Sequence, residues 1–278
     1  FGLAGGSENM STSPHIIKSN RWGKRMGNTT VEDMMLGALN CPFGTGHMGV
    51  TAENVASEYN ISRDVQDSFS LESQQRASSA IEKGYFKEQI VDIEIKKNTF
   101  NIDEHPKNTD LESLKSLKSV FMEKGTVTAG NSSGLNDGAA ALVLSTSTAA
   151  GSNGLKVKAK ILGYSHSGVR PEVMGIGPII AVKKLFEKTG LCEKDFDVIE
   201  SNEAFAAQAC AVSKELKLNP EKVNPNGGAI ALGHPIGATG AILTIKAIHE
   251  LERIDGTFGL ITMCIGGGQG IALAIERV

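Results

Sequence analysis

The spacing of apolar residues changes character along the chain. Phe1–Ala4 reads as the end of an apolar strand and Gly5-Gly6 as the turn after it. Residues 11–50 hold no sustained period; they carry Arg21, Lys24 and Arg25 beside Trp22, so a long irregular excursion is expected there. One helix is predicted to start near Thr51. Another starts at Ser62, where Val65, Phe69, Ala77 and Ile81 fall near helical spacing and Gly84 supplies the stop. Ile90–Ile95 alternates apolar and acidic residues, as a half-exposed strand does, whereas residues 97–120 are polar, charged and loop-like.

From Ala140 onward the period shortens and then alternates. Ala140–Leu144 reads as a fully apolar short strand, and Val157, Ala159 and Ile161 interleave with Lys156, Lys158 and Lys160 as a strand with one exposed face. Pro178 to Gly190 has a proline start, apolar Ile179, Val182 and Phe186, and a glycine stop, which predicts a helix. The remaining elements are a strand at Phe196–Glu200, helices at Ala204–Leu216 and Ala238–Leu251, and strands at Phe258–Met263 and Ile271–Ile275. Strand–helix alternation predicts a layered α/β domain. The last two strands, joined by a glycine-rich turn, add an antiparallel element.

Composition narrows the class. The 278 residues suggest about two domains. A net charge of −3 removes any whole-chain basic field that would favour nucleic acid. No apolar run approaches the ~20 residues of a membrane span. Glycine is in excess, 32 of 278 against an average of about 7%, and much of it sits in Asn226–Gly240 and Cys264–Gly270, which suggests sites built from backbone. Cys41, Cys192, Cys210 and Cys264 are too scattered for a disulfide framework, which suits a reducing, cytoplasmic setting. The six histidines and four cysteines never cluster at ligand spacing, so no metal is expected. The opening Phe-Gly-Leu-Ala-Gly-Gly run has no Met and no polar leader. It reads as the inside of a buried strand, with an N-terminal part expected upstream of Phe1.

Three segments carry candidate chemistry. Ser201-Asn202-Glu203-Ala204-Phe205 lies at a strand-to-helix junction, where Asn202 could serve as an N-cap and nothing more. In Asn226–Gly240, His234 is held between Gly233 and Pro235 beside a helix start, a setting that favours a catalytic base over a structural histidine. Cys264 follows a strand and precedes Gly266-Gly267-Gly268; a buried cysteine is ordinarily a small hydrophobe, but here a reactive thiol beside an anion-binding backbone is plausible. Neither G-x-x-x-x-G-K-[ST] nor a G-x-G-x-x-G that opens a helix is present.

Asn202-Glu203-Ala204-Phe205, Gly233-His234-Pro235-Ile236-Gly237 and Cys264-Ile265-Gly266-Gly267-Gly268 occur in the order and spacing of the thiolase family, which the chain resembles. The likeness is to acetyl-CoA acetyltransferases of the biosynthetic, acetoacetyl-CoA-forming kind. It extends over Gly5–Ser11 and Thr126–Gly138 to Val278, essentially the whole chain. The resemblance implies a layered α/β/α/β/α fold. Residues 1–9 and 134–150 would be remnants of an N-terminal domain, 10–133 a loop domain and 151–278 the C-terminal catalytic domain.

The implied reaction is a Claisen condensation of two acetyl-CoA molecules to acetoacetyl-CoA and CoA, or the reverse thiolysis, through an acyl-cysteine. Cofactors are expected to be none, coenzyme A entering as the substrate thioester. By motif match, Cys264 is implied as the acid/base thiol, poised near working pH by a modest depression of its pKa. His234 is implied to activate the nucleophile and donate to the thioester or enolate oxygen, Asn202 to anchor a water, and the Gly266 N–H to form a second oxyanion hole. Ser133, Ala129, His47, Met48, Met174 and Phe205 match positions that bind or line the path of CoA. Lys107 falls near where relatives carry an arginine for the phosphates, without the bidentate fork. The chain departs from the family in Asn224-Pro225-Asn226, where the proline removes a backbone donor. The nucleophilic cysteine, in a Cys-Gly-Ser-Gly segment, is expected upstream of Phe1, because Cys41 lies in a turn rather than a strand-to-helix elbow.

Implied partners are acetyl-CoA and acetoacetyl-CoA, neither nucleic acid nor membrane, and further copies of the chain (dimer or tetramer) through the basic excursion Ile16–Arg25. Two other readings remain open at this stage. One is a β-ketoacyl-synthase relative; the other is a CoA-binding, catalytically incompetent fragment or subunit.

Overall fold

The computed structural model describes residues 1–278. Its principal elements are strand β1 (Gly2–Glu8), helices α1 (Met48–Glu58) and α2 (Arg63–Glu82), strands β2 (Gly138–Leu144) and β3 (Ala159–Gly168), helix α3 (Gly177–Thr189), strand β4 (Val198–Ser201), helices α4 (Ala206–Leu216) and α5 (Thr239–Ile254), and strands β5 (Phe258–Ile265) and β6 (Gln269–Arg277).

A four-stranded sheet runs β4-β5-β6-β3, with β4 and β5 parallel and the other neighbours antiparallel. Because strand side chains alternate, two cores form on it. Ile199, Leu260, Ala272 and Ala274 face one way, against Ile179, Val182 and Leu185 of α3 and Val212 and Leu216 of α4. Val198, Ile261 and Ile275 face the other way, against Leu243, Ala247 and Leu251 of α5. The far side of α5 meets the antiparallel pair β1 and β2. Helix, sheet, helix and sheet are thus stacked as layers, as expected for an α/β fold. No helix is long and apolar enough to cross a membrane.

The two long helices of the otherwise irregular first half cover the end of this stack. Helix α1 packs on α4 and on the 3-10 turn Pro171–Ile176, and α2 packs on α4 and the short helical turn Ala229–Leu232. Helix punctuation follows local chemistry. Ser62 accepts from Val65 N as N-cap of α2, and Gly190 ends α3 in the left-handed region at φ 76°.

Several expectations are corrected. Gly5-Gly6 is not a turn but the interior of β1. A Cβ at Gly6 would overlap the Gly237 carbonyl, and one at Gly237 the Ser7 carbonyl, so glycine is needed for the strand to lie against the loop before α5. Within residues 1–278, β1 pairs with β2, and Leu3 is 78% exposed. The strand expected from Ile90 is confined to Ile93–Ile95, paired with Asn98–Phe100, both wholly exposed. A short helix, Leu111–Ser116, rises from the stretch read as loop, capped by Asp110. Helix α1 begins at Met48 rather than Thr51, because His47 Nδ1 accepts from Gly49 N and caps it.

Candidate active site

The parallel pair β4 and β5 sets the site. Asn202 is the first residue past β4, and its N–H donates to Thr262 O on β5 at 2.9 Å. Cys264 lies two positions further along β5, so with strands about 4.8 Å apart the amide and the thiol leave the same carboxyl end of the sheet. Asn202 is not the N-cap of α4; that place belongs to Phe205, whose N–H donates to Gln208 Oε1 at 3.1 Å. Gln208 Nε2 also donates to Asn202 O at 3.0 Å, so the side chain that closes the helix end holds the asparagine backbone.

His234 reaches the same place from a different layer. It follows Gly233, whose φ of 98° and crowding against the Asn136 side chain exclude a Cβ. Asn136 Oδ1 accepts from His234 N at 3.0 Å. Thr239, the first residue of α5, donates its hydroxyl to Pro235 O at 2.9 Å, and its oxygen lies 2.7 Å from His234 Nδ1. A hydroxyl has one proton. With that proton committed to Pro235, Nδ1 is the donor and Nε2 keeps its lone pair. Asn202 Nδ2 lies 3.2 Å from Nε2 and donates to it. Burial pushes the imidazole down to about 4, so it is neutral in the free protein.

The thiol lies against the apolar wall of the site. Cys264, 6% exposed, joins one buried cluster with Cys41, Met48, Met174, Ala204 and Phe205. His47 stacks on Phe121 at 4.7 Å, and Phe121 meets Phe205 edge-on at 6.1 Å. Burial pushes the Cys264 thiol up to about 12. This overturns the expected modest depression. No cation shares the site to favour the thiolate, and desolvation penalises it. At Cys41 burial also raises the thiol, but donors from the Phe43 backbone and Thr45 outweigh it and bring the value down. Cys41 closes the short segment Asn40–Cys41, which pairs with Gly46–His47 across a tight turn.

Gly266 is exposed in the turn between β5 and β6, and its N–H is bound by no backbone acceptor. A Cβ there would meet Met48 Cε at 2.9 Å. Ser133 N donates to Ala204 O at 3.0 Å, which ties the Thr126–Gly138 segment to the Asn202–Phe205 segment; nearby Ala129 is exposed. Lys107 stands apart from this group. Its N–H donates to Gln74 Oε1 on α2, and it lines a polar cleft with Ser78, Ser79 and Glu82. Thr239, Asn136 and Gln208 were not singled out from sequence. Asn136 lies 98 residues from His234, so that contact closes only on folding, whereas Thr239 is five residues from His234 and Gln208 is three and six from Phe205 and Asn202, spacings within one local segment.

Comparisons with known proteins agree with this arrangement. A family model described as thiolase, N-terminal domain, matches residues 1–148, and one described as thiolase, C-terminal domain, matches residues 155–277. Beta-ketothiolase BktB of Cupriavidus necator is 56% identical over 99% of this chain and 72% of its own length. The acetyl-CoA acetyltransferase of Escherichia coli is 50% identical over the same shares. The crystal structure of human mitochondrial 3-ketoacyl-CoA thiolase superposes with a TM-score of 0.97 at 43% identity, covering 99% of this chain and 71% of that one. Two family models in sequence order, relatives at about half identity, and a shared layered fold leave one conclusion: this chain belongs to the thiolase family.

Proposed function

We propose that the protein is a thiolase-type acyltransferase that condenses two acetyl-CoA molecules to acetoacetyl-CoA and CoA, and catalyses the reverse thiolysis. Relatives named acetyl-CoA acetyltransferase support the substrate, and a related human thiolase has been solved in complex with CoA. The observation that carries the reading is the hydrogen-bonded imidazole–amide pair, His234 with Asn202, at the same sheet end as Cys264.

The chemistry follows from these groups. The acyl-accepting cysteine thiol passes its proton to His234 Nε2, the unprotonated ring nitrogen. The imidazolium so formed is stable in a buried place only beside an anion, first the thiolate and then the oxyanion of the thioester. Asn202 Oδ1 is buried without a protein donor and is the anchor we assign to a water in that hole. The Cys264 thiol protonates the departing CoA sulfur; its thiolate then removes a methyl proton from the second acetyl-CoA. The enolate oxygen is held by His234 and the enolate carbon attacks the acyl group; the acyl C–S bond then breaks, the cysteine thiolate leaves and takes its proton back from His234, and acetoacetyl-CoA is released. Burial keeps the Cys264 thiol protonated in the resting site, so that its proton is on hand for the departing CoA sulfur.

Residues 151–278 form the catalytic domain in this reading, and Ser133, Ala129, His47, Met48, Met174 and Phe205 line the CoA path. Four unpaired cysteines suit a cytoplasmic enzyme. Trp22 and Met26, 92% and 89% exposed next to Arg21, Lys24 and Arg25, suit packing between copies in a tetramer.

The direct test is thiolysis of acetoacetyl-CoA by the full-length enzyme, followed as loss of the enolate absorbance with CoA present. Turnover is expected; failure on free CoA thioesters with activity on acyl-carrier-protein thioesters would overturn the assignment. Thr239 supplies a sharper prediction. Thr239→Val removes the acceptor that fixes the His234 tautomer, and kcat is expected to fall by roughly 10²-fold. Thr239→Ser keeps the hydroxyl and should retain most activity, as measured by steady-state kinetics of both variants.

A further inference from the structure

We infer that Glu203 is a positioning residue for the reaction. Its buried carboxylate sets the His234 loop against Asn202, and Ser73 and Lys246 hold the same loop from either side. The inference rests on the thiolase reading of the Asn202–His234 pair.

Glu203 directly follows Asn202 and is 1% exposed. Three donors converge on its carboxylate. Ser73 Oγ of α2 donates to Oε2 at 2.7 Å and Ile230 N at 3.2 Å, while Asn224 Nδ2 donates to Oε1 at 2.7 Å. No lysine or arginine forms an ion pair with it. Burying an unpaired carboxylate is costly, and three neutral donors only offset that cost. A group kept under those terms is expected to act on something beyond stability.

What it acts on is the segment between Asn224 and His234. Gly227 has φ 77° and lies against Ser73 O and Ala77 of α2, and a Cβ at Gly228 would overlap the Glu203 carboxyl. Ser73 Oγ, having given its proton to Glu203, accepts from Gly228 N at 3.0 Å. Lys246 Nζ donates to Gly227 O at 2.6 Å and to Glu200 Oε2 at 2.7 Å. The loop backbone is therefore pinned by donors and acceptors at Gly227, Gly228 and Ile230. Ile230 lies in the short helical turn Ala229–Leu232, and two residues after that turn comes His234. One carboxylate thus links the residue after Asn202 to the turn that delivers the imidazole. Asn224, the third donor, returns to β4 through Ser201 N and Ser201 O at 2.9 and 2.8 Å.

Glutamine is the informative replacement. It keeps the shape, but its NH2 must face Asn224 Nδ2 or the Ile230 N–H, both donors, so the loop has to shift by a fraction of an ångström. Glu203→Gln is expected to lower kcat for acetoacetyl-CoA thiolysis by roughly 10- to 100-fold, because small misplacements of reacting groups are amplified in rate. KM should stay within about twofold, since the CoA-lining residues are untouched. Ser73→Ala, which removes the shared hydroxyl without touching the site, should move kcat in the same direction by less.

A double-mutant cycle in the full-length enzyme separates positioning from general loosening. If Glu203 acts by seating the His234 loop, Glu203→Gln added to His234→Ala costs no more than His234→Ala alone. Fully additive losses would overturn the proposal, as would near-normal kcat in Glu203→Gln when His234→Ala is crippled. A near-normal His234→Ala would instead overturn the thiolase assignment of the pair, and the positioning role with it.

Discussion

Cys264→Ala is expected to lower thiolysis of acetoacetyl-CoA by at least about 10³-fold, in the upper part of the range typical for loss of a positioned acid/base. Alanine fits the space that the thiol leaves, so the melting temperature should stay close to that of the parent. The lost step is the carbon–hydrogen one. Exchange of acetyl-CoA methyl protons with deuterated solvent, read by proton NMR, should vanish in the variant, and exchange at the parent rate would refute the assigned role. The free thiol makes a second check. Because burial holds Cys264 up at about 12, its alkylation by iodoacetamide should climb with pH through at least pH 9 without levelling off. A plateau between pH 7 and 8.5 would mean that a cation or a dipole lowers the value, contrary to the apolar wall around the sulfur.

His234→Ala carries the other large effect, a fall in kcat of roughly 10³-fold, since it removes both the base and an oxyanion donor. The pH dependence distinguishes the two duties. An imidazole with an ordinary value near 6.5 would lose its basic form as pH falls from 7 to 6. Burial lowers the value here to about 4, so the neutral form persists down to about pH 5. The sign is therefore clear: kcat/KM should not drop through pH 6.5 on account of this group, and the acid limb that it contributes should lie near pH 4. A limb centred at 6.5 in the parent, absent from a His234→Asn variant, would contradict the buried neutral imidazole.

Much of the catalytic half was legible as sequence because its elements are locally punctuated. Pro178 and Gly190 bracket α3, Ser62 caps α2, and Phe258–Met263 reads as a strand. The first half was less so. His47 starts α1 three residues before the expected Thr51 through a ring-nitrogen cap, which residue preferences do not anticipate. Gly5-Gly6 has the composition of a turn and the structure of a strand, since the demand for glycine comes from Gly237, far away in the chain.

By itself, the sequence determined which residue types stand where for this chemistry. It held an imidazole framed by Gly233 and Pro235, an amide after a strand, and a thiol before three glycines, because those frames are local and covalent. Tertiary structure alone decided what the groups become. The tautomer of His234 depends on Thr239 and Pro235, the protonation of Cys264 on desolvation by Met48, Met174 and Phe205, and the seating of the loop on Glu203 and Ser73. Proton affinity and orientation are set by dielectric and by hydrogen-bond partners within a few ångströms, and those partners come from remote stretches that only the packed layers bring together.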